Sequence, residues 1–478
     1  MKAKIKNSIL SGILGIWLLQ ACVPMLPTNR ASKPTLPDKF GNRAVSDTSS
    51  LAAIQWKAYF NDDKLAALIE EALQNNQELN IIMQEIEISH NEIRARKGEY
   101  LPFVGLGAGA AVDKVGRYTR MGAVEEGLEI MPEKHFPTPF SDLMISAAAS
   151  WELDVWKKLR NAKKSAALKY LATTEGKNFL ITNLVAEIAY SYYELLALDN
   201  LLEIIRQNIE IQNNAYQIVK KEKESAKVSQ LAVNRFEAQL LNTQNLQYEV
   251  HQRITETENR INFLLGRTPQ PIARNSQSFF NIALDSSQTG IPSQLLANRA
   301  DIRQAELDLQ AARLNVEVAK ANFYPSFRMT AGVGFQAFRP AYLLSPESVL
   351  YSLAGDAVAP LINRNAIKAA YFNANAQQIQ ALYRYGQTVL NGYVEVLNQL
   401  AKADNYSRSY EVKQREVDIL NQSVDISNSL YRAARADYME VLLTQREALN
   451  VKLELVEVKT KVLESKVGLY RALGGGWR

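Results

Sequence analysis

The segment VAKANFYPSFRMTAGVGF, residues 318–335, changes its hydrophobic period at Pro325. Before the proline the apolar residues follow a helical spacing. After it they alternate with small or polar residues, at Phe327, Met329, Ala331, Val333 and Phe335. A period of two is typical of a strand with one apolar face. A strand of about ten residues with this pattern fits the wall of a membrane barrel. A half-buried strand of a soluble sheet is the alternative interpretation.

The same change of period occurs earlier in the chain. Residues 95–102, ARKGEYLP, align with residues 318–325 at an offset of 223. Farther along, an offset of 208 relates residues 229–233 to residues 437–441. The smaller offset places about fifteen extra residues in the first copy, between Asp113 and Asp142, where the composition predicts a long loop. The chain is therefore predicted to contain an internal duplication of one structural unit.

Each copy is predicted to contain a helix, two strands joined by a loop, and two long helices. The expected bounds are 62–97 and 294–322 for the first helices, 104–112 and 327–335 for the outgoing strands, and 143–153 and 349–359 for the return strands.

The long helices carry a seven-residue period. In the first copy apolar residues recur at Ile188, Leu195, Leu202, Ile209 and Tyr216, and positions 208 residues later repeat the pattern. A sustained seven-residue period predicts a coiled-coil seam. Helices over 158–224 and 365–432 would each be on the order of 100 Å long. A soluble antiparallel coiled coil is the alternative, but it does not explain the predicted strands or the signal and lipobox pattern at the N-terminus.

Four strands are too few to close a barrel in lipid. Closure takes about eight strands or more, and a sheet edge in lipid has no water to satisfy its backbone groups. The strands therefore predict an oligomer. Two chains would supply eight strands, and three chains would supply twelve.

The N-terminus has the pattern of a secretory signal that ends at a cysteine. Lys2, Lys4 and Lys6 precede an apolar stretch over 9–19, which is too short to span a bilayer. The tetrapeptide Leu-Gln-Ala-Cys ending at Cys22 resembles a bacterial lipobox, so Cys22 is the predicted lipid attachment site. An ordinary secretory signal with a chance cysteine is the alternative. The residues after Cys22 are rich in Pro, Ser, Thr and Asn and predict an extended tether.

Composition excludes several classes of function. The net charge of +5 forms no basic stripe, so a nucleic-acid partner is not expected. One cysteine and three widely spaced histidines supply no zinc or catalytic arrangement. The chain is predicted not to be an enzyme. It needs no metal or cofactor beyond the covalent lipid on Cys22.

Several short motifs, in this order, resemble the TolC family. They are the lipobox, the run from Trp56 to Leu65, Trp151-Glu152-Leu153-Asp154, Ile291-Pro292-Ser293 with Arg299-Ala300-Asp301-Ile302, and the C-terminal Leu473-Gly474-Gly475-Gly476-Trp477. The branch that looks most similar is that of NodT-like outer-membrane efflux lipoproteins, which serve resistance-nodulation-division pumps. The chain departs from the family at Lys157, Arg364, Ala226 and Ala434, where glycine is frequent, and at Ala300, where proline is usual.

The resemblance implies a mainly α-helical protein with membrane β-strands. Three chains would form a homotrimer with a 12-stranded β-barrel continuous with a 12-helix α-barrel. The barrel would lie in the outer membrane, anchored by lipid, and the helices would extend into the periplasm. Its partners would be a periplasmic adaptor (a membrane fusion protein) and an inner-membrane pump.

The expected domains follow from the duplication and the resemblance. Residues 1–21 are a lipoprotein signal peptide and 22–55 a lipidated tether. The first repeat, 56–290, contains a β-hairpin at 101–154 and a helical hairpin at 156–266. The second, 291–478, contains them at 326–360 and 363–473. The expected function is a passive duct for small toxic compounds in a tripartite efflux system, and the alternative is the duct of a type I protein secretion system.

The two turns of the helical hairpins are the candidate adaptor contacts. They comprise Ser225, Ala226, Lys227, Val228 and Ser229, and Ala433, Ala434, Arg435 and Ala436. The second turn is also the candidate periplasmic gate, through Asp437 with Arg435 and Tyr438. The family resemblance supports Asp437 as a constriction residue. The alternative is that Asp437 and Ser229 only cap the helices that follow them.

Overall fold

The computed structural model describes residues 23–26, 35–41, 49–284, 286, 288–362 and 364–477. The first copy begins with three helices, α1 (Trp56–Phe60), α2 (Asp63–Asn75) and α3 (Gln77–Tyr100). Next come β1 (Phe103–Asp113), α4 (Arg120–Gly127), β2 (Glu129–Met131), β3 (Lys134–His135) and β4 (Phe140–Leu153). Two long helices, α5 (Lys158–Glu224) and α6 (Gln230–Leu264), complete it.

The second copy has the same order. It contains α7 (Leu295–Asn298), α8 (Ala300–Ala321), β5 (Ser326–Ala337), β6 (Val349–Val358), α9 (Asn365–Arg432) and α10 (Tyr438–Ala472). Helices α5 and α9 contain 67 and 68 residues and have the predicted bounds of 158–224 and 365–432. No helix in the described ranges combines the length and the apolar character needed to cross a membrane.

Two predicted helices are each interrupted by one polar residue. The helix expected over 62–97 breaks at Asn76, whose Oδ1 accepts a hydrogen bond from the Leu79 amide at 3.0 Å. The Asn76 amide group also donates to the Leu264 carbonyl at 2.9 Å. The helix expected over 294–322 breaks at Arg299, which has an extended backbone. In both cases contacts distant in sequence override the local helical pattern.

The segment between Asp113 and Asp142 is more ordered than the predicted long loop. It contains helix α4 and an antiparallel ladder between β2 and β3. Thr119 caps α4, because its hydroxyl accepts a hydrogen bond from the Gly122 amide at 3.2 Å. This cap, a local interaction within the inserted residues, stabilises a helix in a stretch whose composition suggested only a loop.

Four strands form one antiparallel sheet in the order β1-β4-β5-β6. Every neighbouring pair keeps a continuous register, for example Phe103↔Ser150 through Asp113↔Phe140 between β1 and β4. The pairing of β4 with β5 joins the two copies of the repeat.

The chain divides into two compact units, and each takes segments from both copies. One unit contains residues 87–171 and 307–382, and therefore the four-stranded sheet. The other contains 172–306 and 383–478 together with 32–86. Its core is rich in aromatic residues, with the Tyr59 and Tyr470 rings stacked at 4.2 Å.

A buried arginine ties the C-terminal end into this second unit. Arg299 is 6% exposed and binds Asp301, Glu395 and the Ala472 carbonyl. The glycines that follow fit closely against this site: a Cβ on Gly474 would lie 2.6 Å from the Asn298 carbonyl oxygen. Close packing against this site therefore explains the glycines near the C-terminal end.

Candidate functional site

The four-stranded sheet has two chemically different faces. Because the strands keep register, the apolar residues of neighbouring strands fall in rows, such as Leu106↔Ala147↔Val333↔Tyr351. In the single chain this face is open: Leu106 is 89% exposed and Tyr351 85%. An open apolar face of this kind requires a lipid or protein partner.

The opposite face carries small and polar residues. Gly105, Ala148, Gly332 and Ser352 form one row across the four strands. Gly334 packs so closely that a Cβ there would lie 2.4 Å from the Ile145 carbonyl oxygen. A further row places Glu152, Arg328 and Asp356 side by side near the ends of the strands. The face therefore suits water and not lipid.

Aromatic residues gather at both ends of the sheet. At the end nearest the long helices, Trp156 stacks on Tyr324 with ring centroids 4.7 Å apart, and Trp151 donates a hydrogen bond to the Tyr100 carbonyl. At the other end the rings form a chain of neighbours, in the order Phe136, Phe140, Phe338 and Tyr342. Two aromatic bands that bound an apolar face are the pattern of a membrane-spanning β-structure.

The long helices also leave apolar residues uncovered. On α5 these include Ile211 and Ile218, seven residues apart and 47% and 52% exposed. The positions 208 residues later, Ile419 and Ile426 on α9, are 62% and 59% exposed. The same outward stripe in both copies indicates helix-to-helix packing that one chain cannot complete.

Both helical hairpins turn through a left-handed alanine. Ala226 and Ala434 each have φ of 55°. In each turn two backbone bonds reach back into the last helical turn, for example Ala434 N to the Tyr431 carbonyl and Arg435 N to the Leu430 carbonyl. Glycine is the residue that favours this kind of helix ending. Alanine forms the same turn, but its left-handed backbone costs about 1–2 kcal/mol of conformational free energy.

Asp437 and Ser229 occupy equivalent positions at the starts of α10 and α6. Each is the N-cap residue with extended backbone, but neither side chain makes a capping hydrogen bond. Within the described chain, Arg435 forms no ion pair with Asp437. The Tyr438 ring contacts the Phe236 ring, with centroids 6.4 Å apart. The single chain therefore leaves the Asp437 carboxylate available for another interaction.

Sequence reasoning missed a direct contact between the two hairpins. The Tyr431 hydroxyl donates a hydrogen bond to the Glu222 carboxylate. Burial raises the pKa of Tyr431 above its ordinary value, and the Glu222 hydrogen bond and the nearby Asp437 charge raise it further. The hydroxyl therefore keeps its proton and remains a donor. The two residues are not equivalent in the repeat, so the duplication gave no signal for this contact.

A cavity of about 580 Å³ lies between the turns of the two hairpins. Its lining combines apolar residues with the polar contact, and includes Val219, Phe236, Val441, Glu222, Tyr431 and Asp437. An apolar cluster around Ala232, Val233 and Phe236 supports it from the first copy. The turns predicted to contact an adaptor thus surround one shared space.

The predicted lipid site, Cys22, lies outside the described residues. The nearest described residues, Val23 and Leu26, pack against the cluster of Val316, Phe323 and Tyr371 beside the start of β5. Among the described residues, no group of three or more His, Cys, Asp or Glu side chains could hold a metal ion.

Comparison with known proteins gives consistent results. The family model "Outer membrane efflux protein" matches residues 68–267 and 291–475. The pyoverdine export outer membrane protein OpmQ of Pseudomonas putida is 26% identical over 465 residues, which cover 97% of this chain and 96% of that protein. The cation efflux system protein CusC of Escherichia coli is 25% identical over 83% of this chain and 85% of its own length.

A solved structure shows the same fold. The open-state MtrE outer membrane channel of Neisseria gonorrhoeae superposes with a TM-score of 0.81 at 19% identity, over 95% of this chain and 99% of that one. These matches confirm the predicted family resemblance and the predicted outer-membrane location.

Proposed function

Because the chain belongs to the outer membrane efflux protein family, we propose that it is the outer-membrane channel of a tripartite efflux system. In this role it is a passive duct: an inner-membrane pump supplies the energy, and a periplasmic adaptor joins the pump to the helical turns. The sheet lies in the outer membrane, and the long helices extend into the periplasm.

The observation that carries the proposal is the sheet itself. Strands β1 and β6 are its edges, and each has one unpaired side in the single chain. Lipid does not tolerate such edges. Joining β6 of one chain to β1 of the next removes every edge, and three chains give a closed barrel of twelve strands. The apolar face then meets lipid and the small, polar face lines the water-filled lumen.

The helices support the same assembly. The exposed stripes at Ile211 and Ile218, and at Ile419 and Ile426, recur in both copies. Three chains supply six helical hairpins, and packing them side by side covers every stripe. A homotrimer would therefore pair the open strand edges and cover the exposed helical stripes through the same threefold symmetry.

The N-terminus fits a lipid anchor at Cys22. Val23 and Leu26 pack beside Phe323, which lies three residues before β5. Cys22 directly precedes Val23 in the sequence. Two or three acyl chains give a firm membrane attachment where one chain does not.

The duct is proposed to close at the hairpin turns. There the Tyr431 hydroxyl holds Glu222 of the other hairpin, and Asp437 has no capping bond that would occupy its carboxylate. In a trimer, three Asp437 carboxylates close to the axis would repel one another and favour cations in the passage.

Small molecules are the proposed cargo. Pyoverdine export and cation efflux are the processes named for the relatives OpmQ and CusC. The turns, with Ala226 and Ala434 at their centres, are the proposed adaptor contacts.

A crosslinking experiment in cells tests the proposal. Cys22 is the only cysteine of the chain, so an Ala434→Cys variant carries a single new thiol at the second turn. A thiol-to-amine crosslinker should join this variant to a periplasmic adaptor of an efflux pump. The matched control, Ser345→Cys between β5 and β6, should not form that product. A secreted-protein exporter as the partner, or equal products from both variants, would overturn the proposed role.

A further inference from the structure

The first two turns of helix α5, with the residue before them, are unusually basic. Residues 157–164, KKLRNAKK, contain five cations and no carboxylate. The chain as a whole has 55 Lys and Arg against 50 Asp and Glu. The segment therefore holds as much net positive charge as the entire protein, concentrated at one end of the sheet.

Contacts among the described residues neutralise two of the five cations. Lys158 pairs with Glu152, and Arg160 pairs with Asp154 at 3.1 Å. Among the described residues, no carboxylate pairs with Lys157, Lys163 or Lys164.

The local structure gives these lysines no stabilising role. Lys157 has φ of 61°, a left-handed conformation that costs a non-glycine residue free energy. Lys157 directly precedes the first residue of α5, where a cation opposes the helix dipole. The capping function is already filled, because the Asp154 carboxylate accepts hydrogen bonds from the Leu159 and Arg160 amides, each at 2.9 Å. Neither the backbone conformation nor the capping of α5 accounts for these basic residues.

The surroundings of the segment are those of a membrane surface. Trp156, directly before Lys157, stacks on Tyr324 and donates a hydrogen bond to the Pro325 carbonyl at 2.8 Å. Trp151 lies five residues earlier, in the band that bounds the apolar face. Val23, the residue after the predicted lipid site, packs against the Phe323 cluster at this same end of the sheet.

We propose that Lys157, Lys163 and Lys164 form a binding surface for the phosphate headgroups of anionic phospholipids in the periplasmic leaflet of the outer membrane. The inference rests on the proposed placement of the sheet in that membrane. Lys157 and Lys164 are exposed and Lys163 is half-buried, so all three can reach a headgroup while Trp156 lies at the membrane interface. Basic residues beside a membrane attract anionic lipid.

The test uses the full-length, acylated protein. The variant Lys157→Gln/Lys163→Gln/Lys164→Gln removes three charges and keeps side-chain length. The matched control, Lys220→Gln/Lys221→Gln/Lys223→Gln, removes three charges from the far end of the same helix. Each protein is incubated with vesicles of equal parts phosphatidylglycerol and phosphatidylcholine and re-purified. Mass spectrometry then counts the lipids that remain bound.

The wild type and the control should retain phosphatidylglycerol in excess over phosphatidylcholine. The triple variant at 157, 163 and 164 should bind phosphatidylglycerol on the order of a hundredfold more weakly. The excess on the wild type should also vanish near 1 M salt, where the screening length falls to about 3 Å.

An unchanged phosphatidylglycerol excess in the variant would overturn the inference. So would a change in the cation selectivity of the pore with the bound lipid unaltered, because it would place these lysines in the lumen. Mass and conductance are measured on the same samples. A wild type that forms no conducting trimer refutes the proposed function, whereas a conducting trimer without the lipid excess refutes only the headgroup site.

Discussion

The contact between Tyr431 and Glu222 gives the sharpest test of how the duct closes. The change Tyr431→Phe removes one hydroxyl and preserves the ring that lines the cavity between the turns. The lost interaction is a hydrogen bond to a carboxylate, a class worth about 1.5–3 kcal/mol when well shielded. Both residues are partly exposed, so about 1 kcal/mol per chain is the more suitable figure.

In the proposed trimer, threefold symmetry would multiply this effect. If the contact exists only in the closed duct, its loss destabilises that state by about 3 kcal/mol per trimer, and every 1.4 kcal/mol changes a population tenfold. The open fraction should therefore rise by roughly a hundredfold. Single-channel recording in planar bilayers should show longer or larger open events. Glu222→Gln should have a similar effect, and the double variant should add little to either single change.

The matched control is Tyr438→Phe. Tyr438 lines the same cavity, but its hydroxyl makes no hydrogen bond within the described part of the chain. This variant should conduct as the wild type does. Equal conductance of the two tyrosine variants, or full additivity with Glu222→Gln, would show that the contact does not hold the duct closed.

Four further outcomes are expected. Mass spectrometry of the mature protein should find Cys22 as an acylated N-terminus, and an unmodified N-terminus beyond it would contradict the anchor. Asp437→Ala should raise conductance and reduce cation preference; unchanged values with a lower melting temperature would leave Asp437 a structural residue alone. Ala434→Gly should stabilise the second turn by about 1 kcal/mol, seen as slower amide exchange there, and faster exchange would refute the strain. Arg299→Met should destabilise the fold by about 3–5 kcal/mol, because it removes the buried guanidinium that binds Asp301, Glu395 and the Ala472 carbonyl; an unshifted denaturation midpoint would contradict this.

The Glu395 pair also determines how stability depends on pH. Burial raises the pKa of Glu395, but Arg299 and Arg471 outweigh it and hold the pKa below the ordinary 4.5. A carboxylate whose folded-state pKa is depressed contributes stability that is present above its unfolded value. That contribution should be complete above about pH 4.5 and should fall as the pH drops through the folded-state pKa. The Arg299→Met variant should show a weaker acid dependence, because only Arg471 still pairs with Glu395.

Periodicity predicted the long helices and the strands of the four-stranded sheet. The seven-residue period indicated the helical character of α5 and α9, and the two-residue period indicated the strands. The interruptions at Asn76 and Arg299 were not predictable. Their causes are the Leu264 and Ala472 carbonyls, which lie 188 and 173 residues away. A local pattern carries no information about such partners.

The candidate site was predictable only in part, for a related reason. The turns and their alanines follow from the duplication, and the structure gives both alanines the left-handed backbone that a glycine would adopt. The basic segment at 157–164 is visible in the sequence, but its relation to the aromatic band requires the stacking of Trp156 on Tyr324 from the other copy.

The duplication is broken where closure would occur, and this break is itself informative. At an offset of 208, Glu222 corresponds to Leu430, and Tyr431 corresponds to Lys223. The contact between Glu222 and Tyr431 therefore has no counterpart on the other side of either hairpin. Ser229 and Asp437 are equivalent, but only Asp437 carries charge. In a ring of six hairpins, the second copy would thus carry the carboxylate and the tyrosine that act on the passage, and the first copy would supply the acceptor.

Restoring symmetry with Ser229→Asp should add a second ring of three charges, which would raise cation preference without breaking the tyrosine contact.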